Sequence, residues 1–333
     1  MARNWPVVLL CAALLVGLAL PLATGASPPG FYVEVLLGGL MTGVLYSLVA
    51  MGFALIFKAS GVFNFAQGAM VLFAALAVAR LAERMPLWAA ILLGIVVMIA
   101  LAFVIERVVL RPLVNQEGIA LFMATLGVTF FLDGFGQTVW GSDIYKIDLG
   151  IAKEPVMVLQ GLFQGGILIN KEDVAAALVA VALVAVLALF FQKTATGRAL
   201  RAVADDHQAA QSIGIPLNRM WVIVWSVAGI VALVAGVIWG SRLGVQFSVS
   251  LVALKALPVV ILGGLTSVTG AIVGGLIIGV GEKMAEVFLG PVLVKTFDLA
   301  GGGIENWFAY VLALLFLLVR PQGLFGEKHI DRV

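Results

Sequence analysis

Two apolar runs, residues 174–191 and 221–239, flank a polar stretch, and that alternation constrains the fold more than any other feature of the chain. Each run approaches the roughly 20 residues needed to cross a hydrocarbon core. The stretch between them, 193–219, carries Lys193, Arg198, Arg201, Asp205, Asp206, His207 and Arg219. Charged side chains are costly in hydrocarbon, so the chain must surface here. The stretch also has the marks of a short helix: Thr196 as its cap, alanine and leucine within, Gly214 and Pro216 as its stop. Arg201 and Asp205 stand one turn apart and can pair along its face. Two readings fit: a handle for a soluble partner, or an inert loop whose charges keep it in water.

The same alternation runs through the whole chain. Of its 333 residues 62% are hydrophobic and 11% charged, against roughly a quarter charged in soluble domains. Mean hydropathy is +1.14. The expectation is an all-α polytopic membrane protein, residues 1–333 forming a single transmembrane domain of about 8–10 transmembrane or re-entrant helices. Residues 1–26 form a first transmembrane helix or a signal-like segment. Spans follow at 33–57, after 63–70 to residue 79, at 87–105, 119–139, 174–191, 221–239 and 307–319. Residues 141–173 read as a mixed polar loop. If 193–219 and the tail 320–333 share the cytoplasmic side, 249–288 must cross an even number of times. The break Gly263, Gly264 and Thr266 to Gly270 makes two short segments, 252–262 and 271–287. Irregular backbone at such depth is tolerated only inside protein or a water-filled cavity. Three stripes of small residues mark close helix contacts: Gly39, Gly43 and Ser47; Ala228, Ala232, Gly236 and Gly240; Ala271, Gly275 and Gly279.

Several function classes drop out. One cysteine, Cys11, excludes an internal disulfide and a cysteine metal cluster. Both histidines, His207 and His329, lie in polar segments, which argues against a histidine metal or proton site in the membrane. No metal and no catalytic residues are assigned. The basic residues are too dispersed to suggest nucleic acid. No G-x-x-x-x-G-K-[ST] loop occurs, so any ATP must be bound by another subunit.

Few side chains remain that could line a path. Asn64 and Gln67 stand three apart at a membrane edge, as a helix start resembling a capping box or as a break lining the path. Thr125, Thr129 and Asp133 lie in the span at 119–139. Lys255 sits in an apolar stretch, either snorkelling outward or lining a cavity. The candidate path residues are Asn64, Gln67, Thr125, Thr129 and Lys255.

Four stretches, 38–70, 196–215 (TGRALRAVADDHQAAQSIGI), 254–282 and the closing RPQGLFG at 320–326, resemble the branched-chain amino acid ABC importer permeases, most closely the first of that system's two permease types. The resemblance implies the ABC importer permease fold in a bacterial inner membrane. It implies two cytosolic ABC ATPases, a second and usually non-identical permease subunit, and a periplasmic solute-binding protein, with no cofactor on this chain. Residues 193–219 become the cytoplasmic coupling loop. Its coupling residues are Arg198, Arg201, Asp205, Asp206, Ala209, Ala210 and Gly214, the last three at a spacing similar to the "EAA" loop of such permeases. Branched-chain amino acids are the expected solute, with urea, amides and aromatic acids as related cargo. The competing reading is a stand-alone secondary transporter or channel for a small polar solute such as urea, an amide or an amino acid.

Overall fold

The computed structural model describes residues 28–113, 116–163, 166–205, 207–298 and 303–326; the segment at 1–26 lies outside them. It is helical almost throughout. α1 is Pro29–Ser60, α2 Gln67–Ala82, α3 Leu87–Val104, α4 Gly118–Trp140 and α5 Lys171–Lys193. α6 (Ala195–Asp205) and α7 (His207–Ser212) make up the polar island. α8 is Leu217–Leu243, α9 Val252–Gly263, α10 Val268–Met284, α11 Gly290–Phe297 and α12 Ile304–Val319. Among the described residues α1, the α3 segment to Leu113, α4, α5 and α8 are long and apolar enough to span a membrane. α2 and α12 are shorter apolar helices, and Phe247–Gly263 with Val268–Phe297 forms a pair bent by 115°. The chain is therefore a multi-pass membrane protein.

Two compact units share the chain. Among the described residues the first draws on 28–47, 151–179 and 255–326. Here two of the small-residue stripes prove to be each other's partners. A Cβ on Gly43 would come within 2.7 Å of the Gly275 carbonyl oxygen, and one on Gly39 within 2.8 Å of Val280 Cα. Ser47 Oγ donates to Gly43 O at 2.8 Å and also lies 3.0 Å from Ile272 O. Only residues without bulk let α1 and α10 approach so closely. The same unit contains an element absent from the sequence expectation. β1 (Pro155–Val158) and β2 (Ile167–Asn170) form an antiparallel hairpin within the expected loop. Glu34 accepts a hydrogen bond from Leu168 N at 3.0 Å, which ties the hairpin to α1.

The chain's end closes this unit. After α12 it turns, and Leu324 N and Phe325 N donate to Leu262 O and Gly263 O at 2.8 and 3.0 Å. These carbonyls end α9, where no helical donor follows. Gly264 (φ +106°) and Gly323 (φ +76°) adopt conformations that side chains disfavour, and a Cβ on Gly323 would sit 2.7 Å from Gly264 Cα. The break between α9 and α10 thus lies against residues 323–326.

The second unit comprises residues 48–150 and 180–254. α2 is its centre, buried at every residue from Gln67 to Ala79. Such a helix is apolar all round because it has neighbours all round. α3, α4 and α8 pack on it. The third stripe, on α8, serves this contact: Ala228 and Ala232 are fully buried, and a Cβ on Gly236 would meet Ala75 Cβ at 3.2 Å. α3, α4 and α5 expose Leu92, Val96, Phe103, Phe130, Phe131 and Leu189, a surface suited to lipid. Beyond α3 a π-helical turn, Ile105–Leu110, carries the fully buried Glu106, to which Arg111 donates from Nε and Nη2 at 3.2 Å. Such turns interrupt helices at a cost and often mark sites of use.

Candidate functional site

The polar island is built as a bracket on the end of α5. Thr194 is its cap: its Oγ1 accepts from Gly197 N at 2.9 Å and donates to Phe190 O at 2.6 Å. The cap is thus two residues earlier than the expected Thr196, because the helix begins at Ala195 and its free N–H groups point back toward Thr194. Gly197 is buried, and a Cβ there would lie 2.6 Å from Phe191 Cα. Arg201 Nη1 donates to Phe191 O, and Arg198 Nη1 to Lys193 O at 3.3 Å. These carbonyls, left unpaired where α5 ends, take cations well.

α6 rests on Gly197, Leu200 and Val203, all buried, and packs against α8. Ala210 is buried as well, and its carbonyl accepts from Ile215 N at 3.0 Å. The outer surface is open. Arg198, Ala209, Gln211, Ser212, Ile213 and Gly214 are exposed, Ile213 at 73%. Gly214, at φ +86°, turns the chain into Pro216 and α8. The side chain of Asp205 and all of Asp206 lie outside the described residues.

The expected path residues fall into two groups. Asn64, Gln67 and Thr125 meet at the break between α1 and α2, and all are fully buried. Asn64 Nδ2 donates to Gln67 Oε1 at 3.2 Å, while its Oδ1 accepts from Ala66 N at 3.1 Å. Gln67 Nε2 donates to Ala228 O at 3.4 Å. Thr125 Oγ1 lies 3.2 Å from Phe63 O. Phe53, Phe63, Phe65 and Phe122 stack around the turn at centroid distances of 4.6 to 5.2 Å. This is not a capping box: Ala66 stands at the cap position with no side-chain bond, and the two side chains bond each other instead. Thr129 Oγ1 donates to Thr125 O one turn back.

Lys255 belongs to the other unit. Its Nζ lies 3.1 Å from Glu282 Oε1, which also accepts from Tyr46 Oη at 3.1 Å. Tyr46, on α1, and Glu282, on α10, were not among the expected site residues. The available signal was Lys255 itself, since a cation within an apolar stretch calls for a carboxylate, and Glu282 is the one acidic residue of α10. Asp133 is half-buried, and its Oδ1 has no hydrogen-bond partner among the described residues.

Comparison with known proteins identifies the family. The family model described as "Branched-chain amino acid transport system / permease component" matches residues 35–320. The high-affinity branched-chain amino acid transport system permease protein LivH of Salmonella typhimurium is 27% identical over 326 residues, covering 91% of this chain and 98% of its own. The corresponding BraD of Pseudomonas aeruginosa is 28% identical over 314 residues with the same coverage. A fructose import permease protein, FruF of Bifidobacterium longum, is more distant at 25% over 286 residues, covering 83% of this chain and 75% of its own. Among solved structures, PsaBC from Streptococcus pneumoniae in complex with Fab aligns at a TM-score of 0.44 and 15% identity, over 87% of this chain and 94% of that one, a likeness too loose to carry a fold argument.

Proposed function

We propose, from the premise that this chain belongs to the branched-chain amino acid transport permease family, that it is the membrane path of an importer driven from outside itself. The solute is a branched-chain amino acid, the cargo named for LivH and BraD. Two cytosolic ATPases bind and hydrolyse ATP, so this chain needs no cofactor and performs no catalysis. A second permease subunit, not identical to this one, completes the path, and a solute-binding protein delivers cargo from the periplasmic face of a bacterial inner membrane.

The observation that carries this reading is the island. Its inner face is fastened to α5 by Thr194, Gly197 and Arg201, while residues 211–214 stay exposed. A fastened helix transmits a push, and a loose loop does not. Movement of a docked ATPase would pass through α6 and α7 into α5 and α8. Alternating access then follows from nucleotide binding that favours one of two arrangements. The break at 61–66, with Asn64, Gln67, Thr125 and Thr129, supplies path residues from the second unit, and Lys255 supplies a charged one from the first.

Proteoliposomes holding the complete complex should accumulate leucine when given ATP and the binding protein. Leucine uptake by this chain alone, down a proton or sodium gradient, would establish a secondary transporter instead. Reversing Arg198 and Asp205 together should leave nucleotide hydrolysis running with uptake lost. Normal coupling in that variant would overturn the docking assignment.

A further inference from the structure

The carboxylate of Glu282 sits deep in the first unit, 6% exposed, and only half of it is used. Oε1 accepts from Tyr46 and Lys255. Oε2 is buried and meets no hydrogen-bond donor among the described residues. A buried, ionised oxygen without a partner is costly, so the arrangement wants a further donor. Lys255 is the complement. Its ammonium has three N–H groups, of which Glu282 takes one, and the side chain is 34% exposed. Two residues thus offer a free acceptor and free donors side by side.

The far end of α9 is fixed to residues 324 and 325 through Leu262 and Gly263, and Lys255 lies about two turns before it in an otherwise apolar helix. Ionisable side chains within apolar membrane segments almost always face protein or a water-filled path.

We infer that Lys255 and Glu282, steadied by Tyr46, form a recognition site for the zwitterionic head group of an α-amino acid. The solute's carboxylate takes the free N–H groups of Lys255, and its ammonium group supplies the donor that Glu282 Oε2 lacks. The inference rests on the amino-acid reading above and adds the residues that read the solute. Its energetics favour a zwitterion over either half of one. The ion pair is neutral, and a zwitterion bound to it adds no net charge. An amine or an acid alone brings a net charge into a medium of low dielectric, which is strongly disfavoured. The side chain of the solute takes no part in this contact, which suits a path that several apolar amino acids share.

The test uses the complete complex in proteoliposomes with radiolabelled leucine, with the binding protein's own affinity measured separately. Lys255→Met and Glu282→Gln should each lower uptake at least tenfold while the complex still assembles. The exchange Lys255→Glu with Glu282→Lys restores an ion pair but reverses what the solute meets. It should regain thermal stability without regaining uptake. Uptake within twofold of the parent in that exchange, or in either single variant, would make the pair a structural fastening and overturn the inference. Should the single variants fail to assemble, the unaltered complex gives a second reading. Leucine should slow acetylation of the Lys255 amine, followed by peptide mass spectrometry, at least fivefold, and isoamylamine or 4-methylpentanoate should not; equal protection by all three, or none, overturns the site. If the parent complex imports no amino acid at all, the amino-acid reading itself has failed.

Discussion

Gln67 and Gly43 show how single residues hold this protein. Gln67 spends its carbonyl on Asn64 and its amide on Ala228 O, with no exposed surface. Leucine at 67 would leave Asn64 Nδ2 and Ala228 O short of a partner, at about 1–3 kcal/mol. A lower thermal midpoint of the purified complex is the expected outcome, and an unchanged midpoint would contradict it. Gly43 faces backbone within 2.7 Å, whereas Gly38 on the same helix has nothing within 4 Å. Gly43→Leu should destabilise by about 1–3 kcal/mol or more through overpacking. Gly38→Leu should leave the midpoint where it was, and an equal loss in both would contradict the α1–α10 packing.

At the scale of elements, much was legible because lipid leaves a chain so few choices. Runs of span length became helices within a few residues of their expected ends, and each stripe of small residues found a backbone to lie against. What the stripes could not reveal was pairing. That Gly39 and Gly43 meet Gly275 and Val280 depends on contacts more than 200 residues apart, which periodicity does not encode. The hairpin β1–β2 was hidden because its strands are only four residues each and read as loop. The cap of α6 was misplaced because two threonines, 194 and 196, both fit. The pairing of Lys255 with Glu282 joins residues 27 apart on different helices, which periodicity does not encode either. One element that was seen but not understood is RPQGLFG: it caps α9 through Leu324 and Phe325. Gly323→Val would force a side chain onto Gly264, so the 264–267 turn should become open to limited proteolysis while α3 to α5 stay protected. Unchanged protection would show that the closure does not depend on this contact.

Across the whole molecule, the division into two compact units gives function two footholds. One unit contains the island and the buried polar turn at 61–66, and the other the Lys255–Glu282 pair. α6 is fastened directly to the end of α5 at Phe190 and Phe191, so under the proposed docking a push on α6 has a helix to travel along. This account stands on residues 195–214 being a cytoplasmic docking helix worked by another protein. The most direct measurement places a cysteine at the exposed Gln211 in a Cys11→Ser background and follows its reaction with a membrane-impermeant maleimide. Labelling should occur only from the cytoplasmic face and should fall when the ATPase subunits assemble. Labelling from the periplasmic face, or at a rate indifferent to the ATPase, would contradict the account.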